Sequence, residues 1–155
     1  MTLVAGVHHV TFLTEDIERL ADFYGRVFDA RKTFDETEEG VRHVFLEVGS
    51  GSTTVLHPFQ ILADPPLPPA PGTMFERGRL DHFALLAPSE DAFREIRRRL
   101  ELEGAADGDV RDMNTMWIMG FHDPDGFYVE VIWHKPGVSD SETLLRREWT
   151  TVELS

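Results

Sequence analysis

There is no cysteine anywhere in the 155-residue chain. That excludes disulfides, thiolate zinc sites, iron–sulfur clusters and a cysteine nucleophile, so any metal must be held by nitrogen and oxygen. Positive charge is scarce too: 15 Lys and Arg stand against 28 Asp and Glu, a formal net charge of −13. Such a chain repels phosphate backbones, and no nucleic acid partner is expected. The one dense basic run, Arg97-Arg98-Arg99, lies among Glu95, Glu101 and Glu103 and is expected to be a solvated helix face. No apolar run approaches the roughly 18 residues of a membrane span. The opening Met1-Thr2-Leu3-Val4-Ala5-Gly6 lacks the charged and long apolar regions of a secretion signal. A soluble cytoplasmic protein with no membrane partner is the expectation. What the chain does have is an ordinary globular composition, 41 % apolar, and seven histidines. Its length suits one domain or two small modules sharing a core.

Val7 to Leu13 is β-branched and apolar and predicts a buried strand. From Asp16, residues Ile17, Leu20, Ala21, Tyr24, Val27 and Phe28 recur at helical spacing, with Thr14 or Asp16 as the cap. Glu36 to Gly40 reads as a polar turn, Val41 to Val48 as a strand, Gly49 to Ser52 as a turn and Thr53 to Phe59 as another strand. Residues 61–79 then break the pattern, since five of the nine prolines fall between Pro65 and Pro71. Proline lacks a backbone donor and resists helix and central strand, so this is a linker or surface excursion.

After it the order repeats. Leu80 to Leu86 is a strand, and Ser89 caps a helix carrying Phe93, Ile96 and Leu100 that Gly104 closes. Gly104 to Asp112 is polar with room for a short strand; Met116 to Phe121 and Phe127 to Trp133 are strands about the tight turn Asp123-Pro124-Asp125-Gly126. The divisions are a first module over 1–60, the excursion over 61–79, a second module over 80–135, and a tail over 136–155. The tail, with Ser139, Leu144, Leu145 and Trp149, is expected to add a short helix.

A duplicated module should show a constant offset. His9 and His82 each stand before an apolar run and a helix. Glu130 lies 48 residues beyond His82, and 48 residues beyond His9 falls His57, inside a strand. The same register sets Gly49–Thr53 opposite His122–Gly126, turn against turn. The fold class predicted is α+β: two βαβββ modules whose curved mixed sheets pair around a cleft. The repeat selects His9, His57, His82 and Glu130 for that cleft. Three imidazoles and one carboxylate suit one divalent ion such as Zn, Fe, Ni, Co or Mn.

These residues also carry a family resemblance. His9-Val10 with Asp16 seven further on, Asp22-Phe23-Tyr24, Asp81-His82-Phe83-Ala84-Leu85 and above all Asp123-Pro124-Asp125-Gly126-Phe127-Tyr128-Val129-Glu130 are the matching segments. Together they resemble the vicinal oxygen chelate superfamily of glyoxalase I, bleomycin- and fosfomycin-resistance proteins and extradiol dioxygenases. The resemblance spans about residues 7–134. It implies that His9, His82 and Glu130 are metal ligands. Glyoxalase-type members tend to place a glutamate where this chain has His57. The dioxygenase signature wants a tyrosine where this chain has Gly120, and a further histidine near Arg111 to Met113, where there is none.

Buried unpaired, the carboxylate of Glu130 would be costly among Phe127 to Trp133, and a metal accounts for both the charge and its setting. His57 is a fourth ligand, an acid–base group beside the metal, or a histidine displaced in register by Pro58. His8 should point to the face opposite His9. His122 reads as exposed, and His43 and His134 carry no signal. Trp117, Phe121 and Trp133 read as core, and Arg146-Arg147 as a solvated helix end. The function expected is a metal-dependent, glyoxalase-like lyase or isomerase that chelates adjacent oxygens of a small-molecule substrate and stabilises an enolate or oxyanion. The rivals are a metal-free protein sequestering a drug or metabolite and, third, an Fe(II) dioxygenase. A homodimer is expected, with the modules pairing within a chain or between two.

Overall fold

The computed structural model describes residues 3, 8–49, 55–62, 80–137 and 150–153. Residues 50–54 of the turn after Gly49, residues 63–79 of the proline-rich excursion and residues 138–149 of the tail lie outside the described residues. The chain divides into two compact units, Met1–Gly72 and Thr73–Ser155.

In the first unit β1 (His9–Leu13) leads into α1 (Ile17–Phe28). Asp16 caps the helix, its Oδ1 accepting the Glu18 and Arg19 N–H groups at 3.0 and 3.1 Å. Thr14 instead receives the Asp16 N–H on its hydroxyl at 3.2 Å. The buried stripe is Ile17, Leu20, Phe23, Tyr24 and Val27. Ala21 and Phe28 sit half-buried at its border, and Phe23 is buried where they were expected to be.

Three strands follow: β2 (Arg31–Glu38), β3 (Val41–Glu47) and β4 (Val55–Ile61). Here the expected turn over Glu36 to Gly40 is corrected. Glu36, Thr37 and Glu38 pair with His43, Arg42 and Val41. The reversal is confined to Glu39 and Gly40, at φ 50° and 83°, the left-handed geometry that matches hairpin twist. β2 has almost no apolar alternation. Its ladder to β3 holds it, aided by ion pairs of Arg31 with Glu47 and of Lys32 and Arg42 with Asp35 and Glu18.

The second unit repeats the plan: β5 (Phe83–Leu86), α2 (Glu90–Leu102), β6 (Ala106–Asp112), β7 (Met116–His122) and β8 (Tyr128–His134). Ser89 caps α2, accepting the Ala92 N–H at 3.1 Å. Arg97, Arg98 and Arg99 are paired along the helix with Glu101 and Glu95, but only Arg98 is exposed, so the expected solvated face holds for Arg98 while Arg97 and Arg99 are half-buried. The described part of the tail is a strand, β9 (Thr150–Val152), laid antiparallel on β6.

The sheet orders are β1-β4-β3-β2 and β5-β8-β7-β6-β9. β1 runs parallel to β4 and β5 parallel to β8, while the remaining pairs are antiparallel. The fold is therefore α+β, with two βαβββ modules. Both parallel ladders carry one register. His9 faces Val55 and Phe83 faces Val129, a separation of 46 residues in each unit. His57 accordingly pairs with Thr11 and Glu130 with Ala84. Pro58 displaces nothing, for the β1–β4 ladder runs unbroken to Leu13 and Phe59.

Alternation then sorts the side chains. Val44, Leu46 and Leu56 are buried on the face of the α1 stripe, while Val55, two residues before His57, is buried on the opposite face. In the second unit Leu85, Val110, Met119, Phe121, Val129 and Val131 are buried together with Phe93 and Leu100 of α2. Each such side chain contributes roughly 1.5–3 kcal/mol on burial. The residues between them, His57 and Glu130 included, are left on the other face. Among the described residues no helix is long and apolar enough to cross a membrane.

Candidate metal centre

In the first unit His9 opens β1, and its ring meets His57 edge-on with centroids 5.3 Å apart. Aromatic rings surround His57: Phe45 at 4.5 Å, Phe59 at 4.5 Å and His43 at 5.2 Å. Burial, then the nearby His43 and His9, push the His57 pKa below the ordinary imidazole value. Its Nε2 lies 2.9 Å from His43 Nδ1. His57 Nδ1 is buried with no hydrogen-bond partner among the described residues. His8 differs from expectation. It precedes the strand, so strand alternation does not bind it, and its Nδ1 comes within 2.8 Å of His9 Nδ1.

In the second unit His82 stands just before β5, with Asp81 Oδ2 2.8 Å from its Nδ1. That carboxylate can only accept, so neutral His82 keeps its hydrogen on Nδ1 and presents the lone pair on Nε2. Nε2 is 3.7 Å from Glu130 Oε2. The Glu130 side chain is only 17 % exposed, and its Oε1 lies 3.5 Å from Arg111 Nη2. The same guanidinium nitrogen reaches the Tyr128 hydroxyl at 3.5 Å. Tyr128 owes its pose to Gly120, because a Cβ there would fall 2.3 Å from the phenol oxygen. Burial, and then the charge of Glu130, raise the Tyr128 pKa, so the hydroxyl stays a donor at neutral pH. His122 is exposed, its ring 5.4 Å from that of Tyr128.

The Asp-Pro-Asp-Gly segment shapes this face without joining it. Asp123 is buried, and its Oδ1 accepts the Asp125 and Phe127 N–H groups, each at 2.9 Å. Gly126 completes the turn at φ 79°. The turn thereby fixes the β7–β8 register that sets Glu130 opposite Gly120.

Each unit therefore brings together one pair of the predicted residues: His9 with His57, and His82 with Glu130. Within either unit, no three His, Asp or Glu side chains among the described residues are grouped closely enough to hold a metal. The sequence reading missed His43, Arg111 and Tyr128. Strand alternation could have found Tyr128, two residues before Glu130 on one face. The hairpin register pairing His43 with Phe59 could have found His43, diagonal to His57. Of the residues expected in the core, Phe121 is fully buried. Trp117 and Trp133 pack edge to face at 5.0 Å, with Arg94 over Trp117.

A family model described as the glyoxalase/bleomycin resistance protein/dioxygenase superfamily matches residues 6–131. The chain belongs to that superfamily. No curated protein matches it. Solved structures of similar fold include the glyoxylase/bleomycin resistance protein/dioxygenase domain from Frankia sp., 20 % identical with a TM-score of 0.68, over 85 % of this chain and 99 % of that one. The antibiotic binding protein TnmS3 from Streptomyces sp. is 20 % identical with a TM-score of 0.62, over 87 % of this chain and all of its own. The fosfomycin resistance protein FosX from Listeria monocytogenes is 16 % identical with a TM-score of 0.62, over 92 % of this chain and 99 % of that one. It was solved, as a mutant, with Mn(II) and 1S,2S-dihydroxypropylphosphonic acid. At these identities the likeness is one of fold. The same fold thus serves proteins described as antibiotic binding and as fosfomycin resistance proteins, and the choice for this chain turns on its side chains.

Proposed function

We propose that the chain is a divalent-metal-dependent, glyoxalase-like enzyme of lyase or isomerase type, acting on a small substrate with two adjacent oxygens. His9, His82 and Glu130 are the metal ligands in this reading, and His57 is a fourth ligand or the acid–base group. The observation that supports it most is the His82–Glu130 pair, two donor atoms facing each other at 3.7 Å. A hydrogen bond would draw them closer. Two ligands of one cation, each about 2.0–2.2 Å from it, stand up to about 4 Å apart. Asp81 on His82 Nδ1 is the partner that a metal-binding imidazole wants on its other nitrogen. The donor set of imidazole and carboxylate suits Zn, Fe, Ni, Co or Mn.

A divalent cation bound there supplies Lewis acidity to adjacent oxygens on which negative charge develops. The chain's own residues account for the rest. His57, uncharged at neutral pH, can accept a proton from carbon α to a carbonyl. Phe45 and Phe59 shield that ring from water. Arg111 and the Tyr128 hydroxyl, both beside Glu130, can receive a further substrate oxygen.

A second reading, a metal-free protein sequestering a drug or metabolite, is favoured by the aromatic surroundings of His57 and by the antibiotic binding relative. Elemental analysis of protein purified without added metal separates the two. The enzyme reading predicts a divalent metal in the wild type that is lost in His82→Ala. A wild type without metal that still binds an apolar ligand tightly would establish the second reading instead.

A further inference from the structure

His43 is a histidine that the repeat does not select. It stands on β3, between the strands that carry Phe34 and Phe59. Its ring stacks on Phe59 at 4.8 Å, with 16° between planes, and meets Phe34 at 5.2 Å. Clamped by both neighbouring strands, it has little freedom to turn. Its Nδ1 lies 2.9 Å from His57 Nε2.

Two imidazole nitrogens at that distance share a single proton: one donates and the other accepts. If His43 Nδ1 carried it, His57 would hold its own proton on Nδ1, a buried N–H with no partner among the described residues. Orphaned buried donors are rarer than under-used acceptors, and each costs about 1–3 kcal/mol. If His57 Nε2 carries the proton, Nδ1 holds a lone pair instead, and that is the form a cation or a proton needs.

We infer that His43 is a positioning residue, accepting the His57 Nε2–H on its own Nδ1 and so fixing the tautomer in which His57 works through Nδ1. The inference rests on the reading of His57 as a ligand or acid–base group. It assigns opposite nitrogens to the two units, since Asp81 occupies His82 Nδ1 and leaves Nε2 free. Phe34 and Phe59 hold the acceptor still, so no carboxylate is needed in the first unit.

The test uses the full chain labelled with ¹⁵N at histidine, and long-range proton–nitrogen correlation spectra of the metal-free protein. The expected pattern for His57 is a protonated Nε2 and an unprotonated Nδ1, with the reverse at His43. His43→Asn keeps an acceptor near the place of Nδ1 and should retain both the His57 pattern and Mn(II) binding. His43→Phe fills the same slot without an acceptor and should weaken Mn(II) binding about 10- to 100-fold. Circular dichroism confirms that both variants fold. A wild-type His57 protonated at Nδ1 overturns the inference, as does a His43→Phe variant with an unchanged tautomer and unchanged Mn(II) affinity. Failure of the wild type to bind Mn(II) would count against the metal reading alone, with the tautomer still deciding the role of His43.

Discussion

Gly120 shows how much one missing side chain can arrange. The phenol of Tyr128 lies where a Cβ would be, and from there its hydroxyl reaches Arg111 beside Glu130. The clashing atoms belong to the outer end of the Tyr128 ring, so Gly120→Ala should swing the ring aside and leave the sheet intact. The expected result is a change in unfolding free energy within about 1 kcal/mol, with a clear shift of the Tyr128 ring resonances in NMR spectra. Unmoved resonances would mean that the ring does not lie over Gly120. Asp123 behaves oppositely. Its Oδ1 accepts two backbone N–H groups, so Asp123→Ala removes both of these hydrogen bonds from the β7–β8 turn. A loss of about 2–4 kcal/mol in urea unfolding is expected. A cost near zero would show that water replaces the carboxylate. This difference explains what was legible at the residue scale. Asp123 and Gly126 act through the local backbone, which a sequence motif records. Tyr128 and His43 share a strand face with Glu130 and His57, so spacing could place them, but Arg111 meets Glu130 only by side-chain reach across strands, which neither composition nor spacing encodes.

Among the elements, α1, α2 and the apolar strands are legible because their burial follows a helical or two-residue period. β2 is not, since Phe34 is its sole large apolar residue and the rest of Arg31–Glu38 is polar. Its stability comes from the β3 ladder and from charges that sequence order cannot pair. Hydrogen bonds from Arg42, and then from Lys32, hold the Asp35 carboxyl well below the usual carboxylate range. A carboxyl whose folded pKa is depressed stabilises the fold above its unfolded value, about 3.9, and loses that effect as pH falls through the folded value. Asp35→Asn should therefore lower stability at pH 7 by no more than about 1 kcal/mol, because the pairs are partly exposed. The gap between wild type and variant should narrow steadily as pH falls below about 4. Urea midpoints across that range check it; a constant gap would show that packing, not charge, links β2 to β3 and α1.

At the scale of the whole chain, the repeat is the feature that organises function. A 48-residue spacing links His9, at the start of β1, and His82, just before β5, each to a donor on its module's fourth strand, and both parallel ladders carry one common register. Two modules of the same plan, each carrying an imidazole and a second donor, add to the support that the His82–Glu130 pair gives for reading His9, His57, His82 and Glu130 as functional. Sequence arithmetic could place His57 and Glu130 at equivalent ladder positions because the two modules share one register. It could not give the nitrogen each imidazole presents, which depends on Asp81 in one unit and His43 in the other. The most direct test of the central claim is Mn(II) titration of the metal-free chain, followed by electron paramagnetic resonance, for wild type, His82→Ala and Glu130→Gln. The account predicts saturable binding in the wild type that each substitution abolishes while circular dichroism stays native. Binding equally tight in all three, or absent from the wild type, would contradict it.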